Sequence, residues 1–203
     1  MADPITTTEL EAVNTILSAI GELPTTGTIL TNGTSADVVM AKQILDEVNR
    51  EVQAEGWHFN TDYKVTFTPA VDDKHIALAA DSNIVRITVG GRDLTIRYAS
   101  GERRLYDKEK NTYEFEAPLN EEAVVVYLFE FLGVPEAAKR YITIRAARLF
   151  QDRMVGSTAH HQFTQRDEFK ALLDLKEYEG TTASPNIFDS IGTYNIIKRG
   201  SVL

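Results

Sequence analysis

Hydrophobic positions along this chain change period twice, from helical spacing to alternation and back. Leu10, Val13, Ile16, Leu17 and Ile20 recur at helical steps, which predicts an amphipathic helix from about Thr8 to Ile20. Thr8 with Glu11, or Thr6 with Glu9, fits a capping box, and Gly21 followed by Pro24 stops the helix. After a polar segment, Val38, Ala41, Leu45, Val48 and Val52 predict a second helix over about Ala36 to Glu55. Thr34 or Ser35 can cap it, Gly56 closes it, and Trp57 is expected to fold back onto the helices. The short connection suggests an antiparallel helical hairpin.

Alternation then takes over. Tyr63, Val65 and Phe67 alternate, as do Val85, Ile87 and Val89, then Leu94, Ile96 and Tyr98. Gly90, Gly91, Arg92 and Asp93 predict a tight hairpin between the last two runs. Leu105 with Tyr106, then Tyr113 with Phe115, flank the polar turn DKEKN, and Val124, Val126 and Leu128 make a final strand. Asn60 to Phe129 therefore reads as an antiparallel β region of five to seven short strands.

Helical spacing returns at Gly133–Gly156. Pro135 supplies the φ favoured at a first helical position, and Glu136 complements the positive end of the helix dipole. Ala138, Tyr141, Ile142, Ala146, Leu149 and Phe150 form an apolar stripe, with Lys139, Arg140, Arg145, Arg148 and Arg153 around it. These cations fit either a solvated basic face or a subunit interface. A fourth helix is expected from about Thr158 to Glu179, with Phe163, Phe169, Leu172, Leu173 and Tyr178 on its apolar side. The last stretch has no trustworthy period but carries Ile187, Phe188, Ile191, Tyr194, Ile196 and Ile197, a content that predicts docking on its own domain or on a neighbour.

The fold class expected is α+β: an antiparallel helical bundle (1–58 and 130–180), an inserted antiparallel β domain (59–129) and an extended C-terminal docking tail (181–203). At 203 residues, 43% apolar and 25% charged, the chain has an ordinary globular balance. No stretch approaches the ~20 consecutive apolar residues of a membrane span, and no signal-peptide pattern opens the chain, so no membrane partner is expected. Cysteine is absent, which excludes thiol nucleophiles, thiolate metal sites and disulfides and suits synthesis in a reducing cytoplasm. Thirty acidic against 21 basic residues give a formal charge of −9, which argues against general affinity for the phosphate backbone.

Catalytic signatures fail one by one. His160 and His161 lack metal-site spacing, His58 and His75 are isolated, and Gly90-Gly91 is explained by a turn. Glu114, Glu116, Glu121 and Glu122 sit among turn residues, leaving a polysaccharide-cleaving hydrolase as the alternative function. A DNA-binding module using the Arg-rich helix is a third reading. Neither a cofactor nor a metal is expected.

Three blocks, TELEAVNTILSAIGELP, VNREVQAEGWHFNT and GVPEAAKRYITIRAARLFQDRMVGS, occur in an order that resembles the tail tubular protein A family of short-tailed, podovirus-type bacteriophages. The likeness runs from about Thr8 to Leu175. It implies a structural virion protein, not an enzyme: a dodecameric ring acting as head-to-tail adaptor between the portal protein and the nozzle (tail tubular protein B). It also implies tail fibres attached near that junction and double-stranded DNA passing through the lumen without specific binding. On this resemblance the helical bundle holds neighbouring subunits through Lys139, Arg140, Arg145, Arg148 and Arg153. The tail residues Ile187, Phe188, Ile191, Tyr194, Ile196 and Ile197 reach the portal or the next subunit, and the Gly90–Asp93 hairpin faces the nozzle or fibres.

Overall fold

The computed structural model describes residues 6–26, 35–119, 123–156 and 158–182, with side chains left undescribed over 158–164. Within them the chain is mixed α+β, with four helices and two small antiparallel sheets. The helices are α1 (Glu9–Ser18), α2 (Ala36–Ala54), α3 (Glu136–Met154) and α4 (Thr158–Thr182). The strands are β1 (Thr61–Tyr63), β2 (Ala77–Leu78), β3 (Ile84–Val89), β4 (Leu94–Ala99), β5 (Glu102–Asp107) and β6 (Ala123–Tyr127).

Local chemistry sets the helix ends. Of the two possible capping boxes the chain uses Thr8 with Glu11: the Glu11 amide donates to the Thr8 hydroxyl at 3.2 Å and the Thr8 amide to Glu11 Oε2 at 2.7 Å. Ser35 caps α2 by accepting from the Asp37 amide. Gly56, at φ +83°, turns the chain out of α2, and an added Cβ there would lie 2.6 Å from the Arg86 guanidinium and 3.0 Å from Val126. Pro135 does not open α3 as a helical residue. It stands one position earlier, at ψ 151°, where its carbonyl accepts from the Lys139 amide at 2.9 Å and Glu136 begins the helix.

The α3 helix packs against α1, α2 and α4, so the helical region is organised around it. Its Tyr141, Ile142, Ala146 and Phe150 join Val13, Ile16, Leu17, Ile44, Leu45, Val48 and Leu175 in one core, each Val, Leu, Ile or Phe contributing about 1.5–3 kcal/mol by leaving water. Trp57 packs against this cluster and donates its indole N–H to the Val52 carbonyl at 2.8 Å. A separate core of Ile76, Leu78, Ile87, Val89, Leu105, Phe115 and Val125 lies in the β region.

Strand pairing departs from the hairpin expected at Gly90–Asp93. The first sheet has order β1-β6-β3 and the second β2-β5-β4. Gly90-Gly91 therefore closes no extended hairpin. It is a tight turn with one bridge, Val89 to Arg92, that carries the chain from one sheet to the other. The true hairpin is β4–β5, where Ser100 and Gly101 both have positive φ (52° and 86°), as a mirror-image two-residue turn requires. Tyr113 and Phe115 do not form a strand, and this segment contributes only the isolated bridge of Glu114 to His75.

The helical and β regions meet at a buried amide network. Gln53 donates to the Asn49 side chain at 2.8 Å and to the Phe129 carbonyl at 2.9 Å, while its Oε1 accepts from the Phe129 amide at 2.8 Å. Asn60 donates to the carbonyls of Gln53 and Tyr127 at 2.8 and 2.7 Å and accepts from the Trp57 amide. Both chain crossings between the regions, 57–60 and 127–131, are thus tied to the end of α2.

Candidate assembly surfaces

The five cations of α3 do not share one environment. Lys139 is buried, only 1% exposed, with its ammonium 5.9 Å from the centroid of the Phe131 ring. Its expected place on a solvated or contact face is not where the side chain lies: it points inside the chain, toward the ring of Phe131 in the Phe131–Gly133 3₁₀ turn. Arg145 bonds the Tyr141 hydroxyl at 2.9 Å and Glu51 of α2 at 2.6 Å, with Glu168 of α4 at 3.6 Å. Arg148 pairs with Glu168 and, at 3.2 Å, with Asp152. Arg153 makes a two-pronged contact to Glu47, both distances 2.9 Å. Three of the five therefore tie α3 to α2 or α4 within one chain.

Electrostatics follow that geometry. Burial opposes the charge on Arg145, but the Tyr141 hydroxyl with Glu51 and Glu168 outweighs it and holds the guanidinium above its usual value. Glu168 does the same for Arg148, and Arg153 depresses the Glu47 carboxyl.

Arg140 is different. It is exposed and has no ion-pair or hydrogen-bond partner among the described residues. It stands over two adjoining clefts between α1, α3 and α4, of about 450 and 330 Å³, floored by Thr15, Ala137, Ile144 and Ala147. The Thr143 hydroxyl faces this groove buried and unpaired.

The outer face of α4 is the second open surface. Of the expected apolar side, Leu172 packs partly buried against the core while Phe169, Leu173 and Tyr178 stay exposed; Ala171 and Leu175 make the buried contacts. Small and aliphatic residues allow close approach to α3, which leaves Phe169 62% exposed. Exposed Arg166, Lys170 and Lys176 share that helix. Phe163, His160 and His161 fall where side chains are not described, and Ile187, Phe188, Ile191, Tyr194, Ile196 and Ile197 lie outside the described residues.

In the β region Gly90, Gly91, Arg92 and Asp93 form the exposed intersheet turn, with Lys108 paired to Asp93 at 2.9 Å. The carboxylates considered for catalysis are dispersed: Glu116 pairs with Lys74 at 3.0 Å, Glu114 lies on a backbone bridge to His75, and Glu121 and Glu122 are outside the described residues. Among the described residues no group of three or more His, Asp or Glu could hold a metal, and no helix is long and apolar enough to cross a membrane.

The residues that sequence reasoning missed are Asn49, Gln53 and Asn60. Their signal was present: Asn49 and Gln53 stand four apart on the same buried side of α2 as Val48 and Val52, where polar side chains require partners. Among curated proteins no match is found. The family model for tail tubular proteins matches residues 10–185, which spans every described element from α1 through α4 except the first residue of α1. The chain belongs to the tail tubular protein family and is a structural component of the phage virion tail.

Proposed function

We propose that this chain is the ring-forming adaptor of a short-tailed phage, joining the portal protein to the nozzle and leaving a channel for DNA. The observation that carries the reading is the family match over residues 10–185. Surfaces left open by the fold support it. A subunit held by a neighbour on either side needs exposed contact area on more than one helix, and the Arg140 groove and the Phe169–Leu173 face of α4 supply two such areas. In this reading twelve copies close a ring through the helical region, and the Gly90–Asp93 turn meets the nozzle or the tail fibres. The C-terminal residues Ile187 to Ile197 reach the portal or the next subunit. The charge of −9 lets DNA pass without the cation-driven grip that would slow it.

The ion pairs sharpen the choice of test. Arg145, Arg148 and Arg153 are engaged inside the chain, so reversing them perturbs folding together with any assembly role. Arg140 has no such partner among the described residues, so Arg140→Glu is expected to keep the wild-type melting temperature and weaken collar formation. Electron microscopy of the purified protein mixed with its portal is the direct measurement. A closed collar of wild-type chains on the portal, depleted for Arg140→Glu, is the expected result; wild-type chains that leave the portal bare overturn the reading.

A further inference from the structure

Four strand edges border the two sheets, and three of them are short or guarded. The outer strands β1 and β2 have three and two residues. The outer side of β3 is crossed by Arg103, whose guanidinium donates to the Ile84 carbonyl. The fourth, β4, has six residues and among the described residues bonds only to β5; β3 comes close to it across the Val89–Arg92 turn without adding ladder hydrogen bonds to it.

Register tells which of its backbone groups are free. Ser100-Gly101 is a two-residue turn, so the flanking Ala99–Glu102 pair exchanges hydrogen bonds, and alternate pairs, Arg97–Arg104 and Thr95–Tyr106, do the same. Ile96 and Tyr98 belong to the intervening pairs, and their N–H and C=O groups point away from β5. The Leu105 amide, opposite Ile96, donates instead to Ile76 of the far side at 3.0 Å, which fits that phase. An edge of this length, with Tyr98 77% exposed, is a template for another strand.

Charge narrows what that strand can be. Arg97 lies flat on the Tyr106 ring, 3.6 Å from guanidinium to centroid, and has no carboxylate partner among the described residues; neither has Arg92. Stacking immobilises the guanidinium while leaving its N–H fork open to an incoming carboxylate. Two unpaired arginines beside an open edge are conspicuous in a chain of net charge −9.

We propose that the edge of β4 is a strand-addition site for an extended, acidic segment of the protein that meets the β region, bonded to the backbone of Ile96 and Tyr98 and paired to Arg97 and Arg92. This rests on the adaptor reading, which brings a second virion protein to this region.

Amide exchange followed by NMR on the full chain tests it, with the synthetic peptide Glu-Val-Glu-Val-Thr-Val-Glu as probe and its Lys-for-Glu counterpart as control. In the free chain the Ile96 and Tyr98 amides should exchange faster than those of Thr95 and Arg97. The acidic peptide should slow both edge amides by at least about tenfold and the lysine peptide should not. Tyr98→Pro removes an N–H that β5 does not use and replaces an exposed side chain, so it should keep the fold and abolish the protection. Arg97→Glu, a surface change outside the ladder, should weaken acidic-peptide binding and guards against a proline variant that misfolds. Equal protection by both peptides, or unchanged binding by Arg97→Glu, overturns the proposal. Tails isolated from virions separate the two readings: edge amides that stay fast inside assembled tails refute strand addition and leave the adaptor intact. Tails that lack the chain refute the adaptor, and the peptide result still decides the edge.

Discussion

Gln53→Leu is the substitution that asks most of the joint between the helical and β regions. The residue is completely buried, and leucine has nearly its volume, so the change removes polar contacts without opening a large cavity. The Phe129 amide loses its acceptor and the Asn49 oxygen loses its donor, while the Phe129 carbonyl keeps Asn49 Nδ2 at 3.3 Å. Two orphaned groups at about 1–3 kcal/mol each, reduced by roughly 1 kcal/mol for burying the more apolar side chain, leave a net loss centred on about 3 kcal/mol, within a range of roughly 1–5. For a chain of this size that lowers Tm by roughly 5–10 °C. Trp57 is the single tryptophan and sits in the joint, so its fluorescence reports this region while far-UV circular dichroism reports mainly the helices. Urea transitions by the two probes should coincide for the native chain and separate for Gln53→Leu, because the regions no longer share the network. Combining Gln53→Leu with Asn60→Ala should cost less than the sum of the two, since both act on the same crossings. A loss below about 0.5 kcal/mol with coincident transitions would refute the idea that this network couples the regions.

Three further outcomes follow from single contacts. Thr8→Ala removes the capping box of α1 and should cost about 1 kcal/mol in urea unfolding, with Thr8→Asp restoring most of it. Gly56→Ala forces an alanine to φ +83° against Arg86 and Val126 and should lower stability by more than about 1 kcal/mol, while the same change at Gly180, with open space around it, should be tolerated. Arg153→Ala should return the Glu47 carboxyl toward its ordinary titration, followed by carbon NMR. Glu47 has a folded-state pKa depressed below its usual value, so its pairing stabilises at pH above the ordinary carboxylate range and fades as pH falls through the depressed value. An unmoved Glu47 titration in Arg153→Ala would show that the pair is not formed in solution.

Helices were legible in the sequence because their apolar spacing and their caps agree. Thr8, Glu11, Ser35 and Gly56 all take the roles their chemistry predicts. Sheet topology was not legible, since alternation in Val85–Val89 and Leu94–Tyr98 identifies two strands but not their partners. Gly90-Gly91 suits a turn between paired strands and a turn between sheets equally well, and long-range pairing with β6 and β5 decides. For α4 the error has another source. Phe169 and Leu173 look like core by hydrophobicity, yet close packing on α3 is achieved by Ala171, whose small side chain counts little in any periodicity.

The cations of α3 have a consequence for assembly. A row of arginines in an acidic chain reads as a surface seeking a partner, and the partners turn out to be carboxylates of the same chain: Glu47 and Glu51 on α2, Glu168 on α4. Arg148 and Glu168 are both largely shielded, so removing either leaves the other poorly solvated and unpaired, which costs more than the pair itself contributes. An interface built from these arginines would have to break them away from those carboxylates. One built on Arg140 would not, because its guanidinium has no partner among the described residues and lies beside a groove. If copies of this chain join through α3, the energetically accessible contact is therefore Arg140, and a partner carboxylate seated on it would gain a pair at no internal loss.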